Sequence, residues 1–197
     1  MNPRLRKSCV RCWSHASNDE PTGRLFGEWS AMNVVLIGYR GTGKSTVGKV
    51  VAARLGRPIV STDKEIVRRA GSSIPDIVSA HGWDYFRDLE SAVCMELAGQ
   101  DDLVIDTGGG AILRQQNVEV FKRKGRLVWL TASVETIAAR ISTDTQRPSL
   151  TGTKSHIEEI REVLTERMSK YHAAADLTVV TDNRSIDEVA TTILKQL

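Results

Sequence analysis

An α/β fold of three layers, with a five-stranded parallel sheet between two sets of helices, is the architecture this sequence predicts. Short, uniformly apolar runs recur along the chain, and segments with helical apolar spacing separate them. Strands without polar alternation are buried on both faces, and strands separated by helices pair in parallel through crossovers. A glycine-rich segment, Gly38-Tyr39-Arg40-Gly41-Thr42-Gly43-Lys44-Ser45, stands between the first apolar run and the first helical pattern.

Asn33-Val34-Val35-Leu36-Ile37 is the first strand. Val47, Val50, Val51 and Leu55 recur at helical spacing, and Gly56-Arg57-Pro58 ends that helix. A short strand from Pro58 to Val60 leads to Asp63 and to helical segments reaching about Gly99. Leu103-Val104-Ile105 is the third strand, stopped by Gly108-Gly109-Gly110. Leu127-Val128-Trp129-Leu130 and Leu177-Thr178-Val179-Val180 follow as the fourth and fifth. Ile157, Ile160, Leu164 and Met168 mark one face of an amphipathic helix, and Ile186, Val189, Ile193 and Leu197 mark the closing one.

The chain has 197 residues, 41% hydrophobic and 26% charged, enough to bury the core of one domain. A net charge of +3, from 27 basic and 24 acidic residues, suits anionic substrates and is far from a nucleic-acid footprint. No apolar stretch approaches the length of a membrane span. Three cysteines, Cys9, Cys12 and Cys94, are too few and too sparse for a disulfide framework. Cys9, Cys12 and His15 resemble half a zinc site, but no second cysteine pair follows, and a solvated tail is the simpler reading. Residues 1–31 carry no helical or strand period. They read as a tail, as a segment upstream of a start at Met32, or as a transit peptide, which Asp19, Glu20 and Glu28 weaken. The expectation is a cytoplasmic monomer with a disordered extension over 1–31 and one domain over 32–197.

Gly38-x-x-x-x-Gly43-Lys44-Ser45 matches the P-loop pattern at every specified position, in the strand-to-helix context that the pattern requires. Gly41, Thr42 and Gly43 let backbone N–H groups curl around a polyphosphate, and the following helix presents its positive end to the same anion. Lys44 supplies a charge to the β- and γ-phosphates, Ser45 a hydroxyl to Mg²⁺, and Thr46 steadies the α-phosphate end. ATP with Mg²⁺ is therefore the expected donor. Ser142 to Ser155 lacks periodicity; a loop of that length ahead of an amphipathic helix in a phosphotransferase reads as a lid, over about 142–155.

The acceptor is suggested by the order of smaller pieces. Asp63 in Thr62-Asp63, Phe86-Arg87-x-x-Glu90, Gly108-Gly109-Gly110-Ala111, Arg147-Pro148 and Glu166-Arg167 followed by Tyr171 succeed one another over residues 33–197. Together with the P-loop, this order resembles the shikimate kinase family. The resemblance implies a P-loop kinase fold with a substrate-binding segment over about 62–99 and a mobile lid. It also implies transfer of the γ-phosphoryl of ATP to the 3-hydroxyl of shikimate, in aromatic amino-acid biosynthesis. By the same resemblance Asp63 holds the shikimate hydroxyls and acts as base, Arg87 and Arg167 grip its carboxylate, and Glu90 orients Arg87. The Gly108–Gly110 turn approaches the ring through Gly109, Arg147 swings in with the lid, and Arg140 and Arg184 flank the adenine. Guanidinium forks at one end and a carboxylate at the other suit a small hydroxylated acid.

Two positions depart from the family's pattern. Ser61 stands where the family has an acid two places before the aspartate, and Asp106 stands where it has a small or neutral residue. Asp106 ends an apolar strand as a metal-binding aspartate of P-loop enzymes does, so it is expected to serve Mg²⁺ beside Ser45. Its other reading is a cap on the glycine turn. Two further functions compete: a P-loop kinase for gluconate or a nucleotide, which the triple glycine and Phe86-Arg87-x-x-Glu90 disfavour, and a non-catalytic binding module. The latter is disfavoured because Lys44, Asp63 and Arg147 are all present.

Overall fold

A computed structural model of the protein describes residues 32–141 and 156–197. The expected extension with its Cys9-Cys12-His15 cluster, and the expected lid with Arg147, lie outside the described residues.

Five strands form one parallel sheet: β1 (Asn33–Ile37), β2 (Ile59–Ser61), β3 (Val104–Asp106), β4 (Gly125–Thr131) and β5 (Leu177–Val180), in the order β2-β3-β1-β4-β5. The helices are α1 (Lys44–Leu55), α2 (Thr62–Ala70), α3 (Ile74–Ala98), α4 (Gln115–Lys124), α5 (Val134–Ile141), α6 (His156–Ala174) and α7 (Ile186–Gln196). The apolar runs of β1 are explained by a sheet covered twice. Val34 and Leu36 pack with α1 and α7, whereas Val35 and Ile37 pack with the cluster that holds Phe86 and Val93 of α3, Phe121 of α4 and Tyr171 of α6. Each of these strand residues is at most 1% exposed, and full burial of such a side chain stabilises the fold by about 1.5–3 kcal/mol.

Several boundaries differ from the sequence reading. β2 begins at Ile59 because Pro58 has no N–H to donate; its carbonyl still accepts from Val104 N at 3.0 Å. β3 extends one residue further than expected, so Asp106 is the last ladder residue, opposite Ser61 of β2 and Leu36 of β1. α4 and α5 are helices that the sequence reading left unassigned. On α6 the buried stripe is Ile160, Val163, Leu164 and Tyr171, while Ile157 and Met168 are 48% and 44% exposed. At the sheet edge, Val180 of β5 is 51% exposed, as a strand with one open side allows. α3 contains a break at Gly82, whose φ of 85° and ψ of 171° no helix accommodates.

Among the described residues, no helix is long and apolar enough to cross a membrane. Nor does any cluster of three or more His, Cys, Asp or Glu there suit a metal ion.

Candidate active site

Between β1 and α1 the chain turns through the glycine-rich loop. Gly43, the residue ahead of α1, has φ of 91°, a left-handed conformation that a glycine adopts without a Cβ clash. α1 begins with no side-chain cap and no acid in its first turn, so its N-terminal N–H groups and positive dipole are left for an anion. Lys44 is buried, and its Nζ donates to the carbonyls of Gly38 at 2.9 Å and Tyr39 at 3.1 Å. Ser45 and Thr46 are exposed to a cleft of about 530 Å³ that passes along the loop. Its lining includes Arg140, Thr181, Arg184 and Ile186 as well as Asp63 and Gly109. Arg140 donates to the carbonyl of Gly41 at 3.2 Å and to that of Thr181 at 3.0 Å, joining the loop to the end of β5. Arg184 donates to Val180 O at 3.3 Å.

The two unusual positions meet at the carboxyl edge of the sheet. Ser45 Oγ donates to Asp106 Oδ2 at 2.6 Å, and Asp106 is 6% exposed. Ser61, its neighbour in the ladder, instead caps α2 by accepting from Lys64 N at 3.5 Å. A hydroxyl and a carboxylate side by side present hard oxygen donors, the set that Mg²⁺ prefers.

The acceptor residues converge on the triple glycine. Thr62 Oγ1 accepts from Gly108 N at 2.9 Å, and Thr107 Oγ1 donates to Leu36 O at 2.8 Å, fastening this loop to β1 and α2. A Cβ on Gly108 would lie 2.5 Å from Asp63 Oδ1 and 2.8 Å from Glu90 Oε1, so only glycine lets both carboxylates approach. A Cβ on Gly110 would collide with the Arg87 guanidinium. That guanidinium pairs with Glu90 and lies over the rings of Phe86 and Trp83, with centroids 5.1 and 5.4 Å away. From α6, Arg167 Nη1 and Tyr171 Oη both donate to Gly109 O, at 3.3 and 2.6 Å. Glu90 is fully buried, and burial raises its pKa against the lowering effect of Arg87. Among the described residues its Oε1 has no hydrogen-bond partner.

Asp63, Arg87, Glu90, Gly108, Gly109, Gly110 and Arg167 thus come together from α2, α3, the loop after β3, and α6. Lys44, Ser45, Thr46 and Asp106 come together beside them. Glu166, next to Arg167, points outward and is exposed. Sequence reasoning missed Thr62, which fastens Gly108, and the pair formed by Arg40 of the loop and Glu159 of α6, 3.3 Å apart. In the sequence Thr62 stands only as the neighbour of Asp63 and Arg40 only as an unspecified position of the P-loop, and nothing local marks Glu159, one of two adjacent acids before the buried Ile160, as its partner.

The shikimate kinase family model matches residues 40–197. A shikimate kinase of Syntrophus aciditrophicus is 43% identical over 175 residues, covering 83% of this chain and 90% of that protein. The solved structure of a shikimate kinase from Acinetobacter baumannii in complex with shikimate is 36% identical, with a TM-score of 0.79 over 84% of this chain and 92% of that one. A gluconokinase from Sinorhizobium meliloti superposes with a TM-score of 0.52 at 18% identity, a likeness of fold alone. With its motifs assembled around one cleft and its similarity spanning most of both sequences, the chain belongs to the shikimate kinase family.

Proposed function

We propose that this protein transfers the γ-phosphoryl group of ATP to the 3-hydroxyl of shikimate. The observation that carries the reading is the convergence of Asp63, Arg87 and Arg167 on Gly108–Gly110, directly beside the P-loop. Phosphoryl transfer needs positioning and charge stabilisation more than covalent chemistry, and this arrangement supplies both. Asp63 accepts the proton of the attacking hydroxyl. Arg87, held by Glu90, and Arg167 bind the carboxylate through charge-assisted hydrogen bonds. Gly109 allows the ring to approach the backbone.

On the donor side, Gly41, Thr42 and Gly43 wrap the phosphates, Lys44 neutralises the β- and γ-groups, and Thr46 steadies the α-phosphate. Arg140 and Arg184 flank the adenine. Arg147, which we assign to the closing lid, completes the charge around the transferred group. Mg²⁺ fits the oxygen donors of Ser45 and Asp106, and when bound it neutralises charge on the β- and γ-phosphates. We place the enzyme in the cytoplasm as a monomer, in the chorismate pathway, with residues 1–31 outside the catalytic domain.

A coupled ADP-release assay with shikimate, gluconate and nucleoside monophosphates tests the reading. Turnover with shikimate alone is expected. Faster release with gluconate or a nucleotide, or none with any acceptor, overturns it.

A further inference from the structure

One stripe of α6 touches both halves of the site. Glu159, Val163, Arg167 and Tyr171 are spaced four residues apart and therefore share a helical face. At its start Glu159, 0% exposed, meets the Arg40 guanidinium of the nucleotide loop at 3.3 Å. Two turns on, Arg167 and Tyr171 hold the carbonyl of Gly109 in the acceptor loop. The two loops also abut directly, since a Cβ on Gly109 would lie 3.6 Å from Arg40 N and 3.5 Å from Gly38 O. Arg40 itself lines the cleft, and its buried Nε has no hydrogen-bond partner among the described residues.

A buried ion pair adds little net stability compared with apolar side chains of similar volume, and its best-attested use is to fix register. We propose that Arg40 and Glu159 are positioning residues that hold the nucleotide loop in register with the acceptor loop across α6. The inference rests on the shikimate kinase reading of this site. Glu159 is fully buried and does not line the cleft, so it acts through Arg40 on the loop that carries the phosphates. Donor and acceptor subsites each remain whole without the pair, but their relative placement shifts. Because misplacement by about 1 Å can cost on the order of a hundred-fold in rate, the expected signature is a loss of kcat with both affinities retained.

The test compares wild type, Glu159→Gln and the double variant Arg40→Met/Glu159→Met. The double variant removes both charges of the pair together and so keeps the experiment open if the single variant folds poorly. Titration calorimetry with shikimate and with Mg-ADP gives each dissociation constant and the fraction of competent sites. Shikimate-dependent ADP release gives kcat per competent site. Both variants are expected to lose about ten- to a hundred-fold in kcat, the double variant no more than the single one. Glu159→Gln keeps both dissociation constants, and the double variant keeps that for shikimate, within about three-fold of wild type. Unchanged kcat per competent site, or a loss that follows the dissociation constants, overturns the proposal. A wild-type chain with no shikimate-dependent turnover overturns the functional reading instead, so the two failures are distinct.

Discussion

Ser45 Oγ donates to Asp106 Oδ2 at 2.6 Å, joining α1 to the end of β3 at the phosphate cleft. Opposite Asp106 in the ladder stands Ser61, so the carboxylate at this edge is carried by β3 and not by β2. Asp106→Asn keeps size and hydrogen bonding and removes the charge. It is expected to raise the Mg²⁺ concentration for half-maximal activity by about ten-fold, a loss of about 1.4 kcal/mol, with the shikimate KM little changed. Mn²⁺ binding to the ADP complex, followed by electron paramagnetic resonance, should weaken in parallel. Ser61→Asp on that background should recover part of the loss. An unchanged metal requirement leaves Ser45 and the phosphates as the metal's main anchors.

Arg87→Lys keeps the charge but cannot offer a planar fork to a carboxylate or to Glu90. Loss of a charge-assisted hydrogen bond costs about 1.5–3 kcal/mol, so the shikimate KM is expected to rise roughly ten- to a hundred-fold. The KM for ATP should stay within about two-fold of wild type. Equal damage to both would move Arg87 out of the acceptor site.

Gly110→Ala places a methyl group where the Arg87 guanidinium lies. That guanidinium is the far end of a flexible side chain, so the protein should still fold, with Tm lowered by the weakened buried pair of Arg87 with Glu90. The displaced Arg87 loses its seat beside Glu90, and the shikimate KM should rise about as much as in Arg87→Lys. A variant that no longer folds, or one whose shikimate KM is unchanged, would overturn this reading of the glycine.

Glu65 on α2 pairs with Arg68 and Arg69, whose hydrogen bonds pull its pKa down to about 2. A carboxylate with a depressed folded pKa adds stability above its unfolded pKa, and the contribution disappears as pH falls toward 2. Glu65→Gln should therefore lower Tm by about 1–4 °C at pH 7, with the difference shrinking to a small remainder near pH 2. High salt should shrink the difference at pH 7. Thermal melts across pH 2–7 give both slopes. Glu90 carries the opposite sign: its raised pKa favours the native state as pH falls toward the ordinary carboxylate range.

The donor half of the site was legible in the order of residues. A strand, a glycine loop and a helix are contiguous, so Gly43, Lys44 and Ser45 are placed by local backbone geometry alone, and the structure sets Lys44 at the first position of α1. The five strands were legible as well, because burial on both faces leaves an uninterrupted apolar run. α6 was harder. Ile157 and Met168 fit the helical period, yet the buried face turned out to be the one through Val163 and Tyr171, since the partner surface, not the helix, selects the stripe that is covered.

By itself the sequence determined the fold class, the phosphate loop and the family of this protein, since each depends on contacts between neighbours in the chain or on a long ordered pattern. Only the tertiary structure decided which side chains touch one another within the site. Arg40 meets Glu159 across 119 residues, Thr62 holds Gly108 across 46, and Ser45 reaches Asp106 across 61. No local propensity encodes such pairs. They exist because parallel strands bring their carboxyl ends to one edge, where groups far apart in sequence are buried together and must satisfy one another's charges and hydrogen bonds.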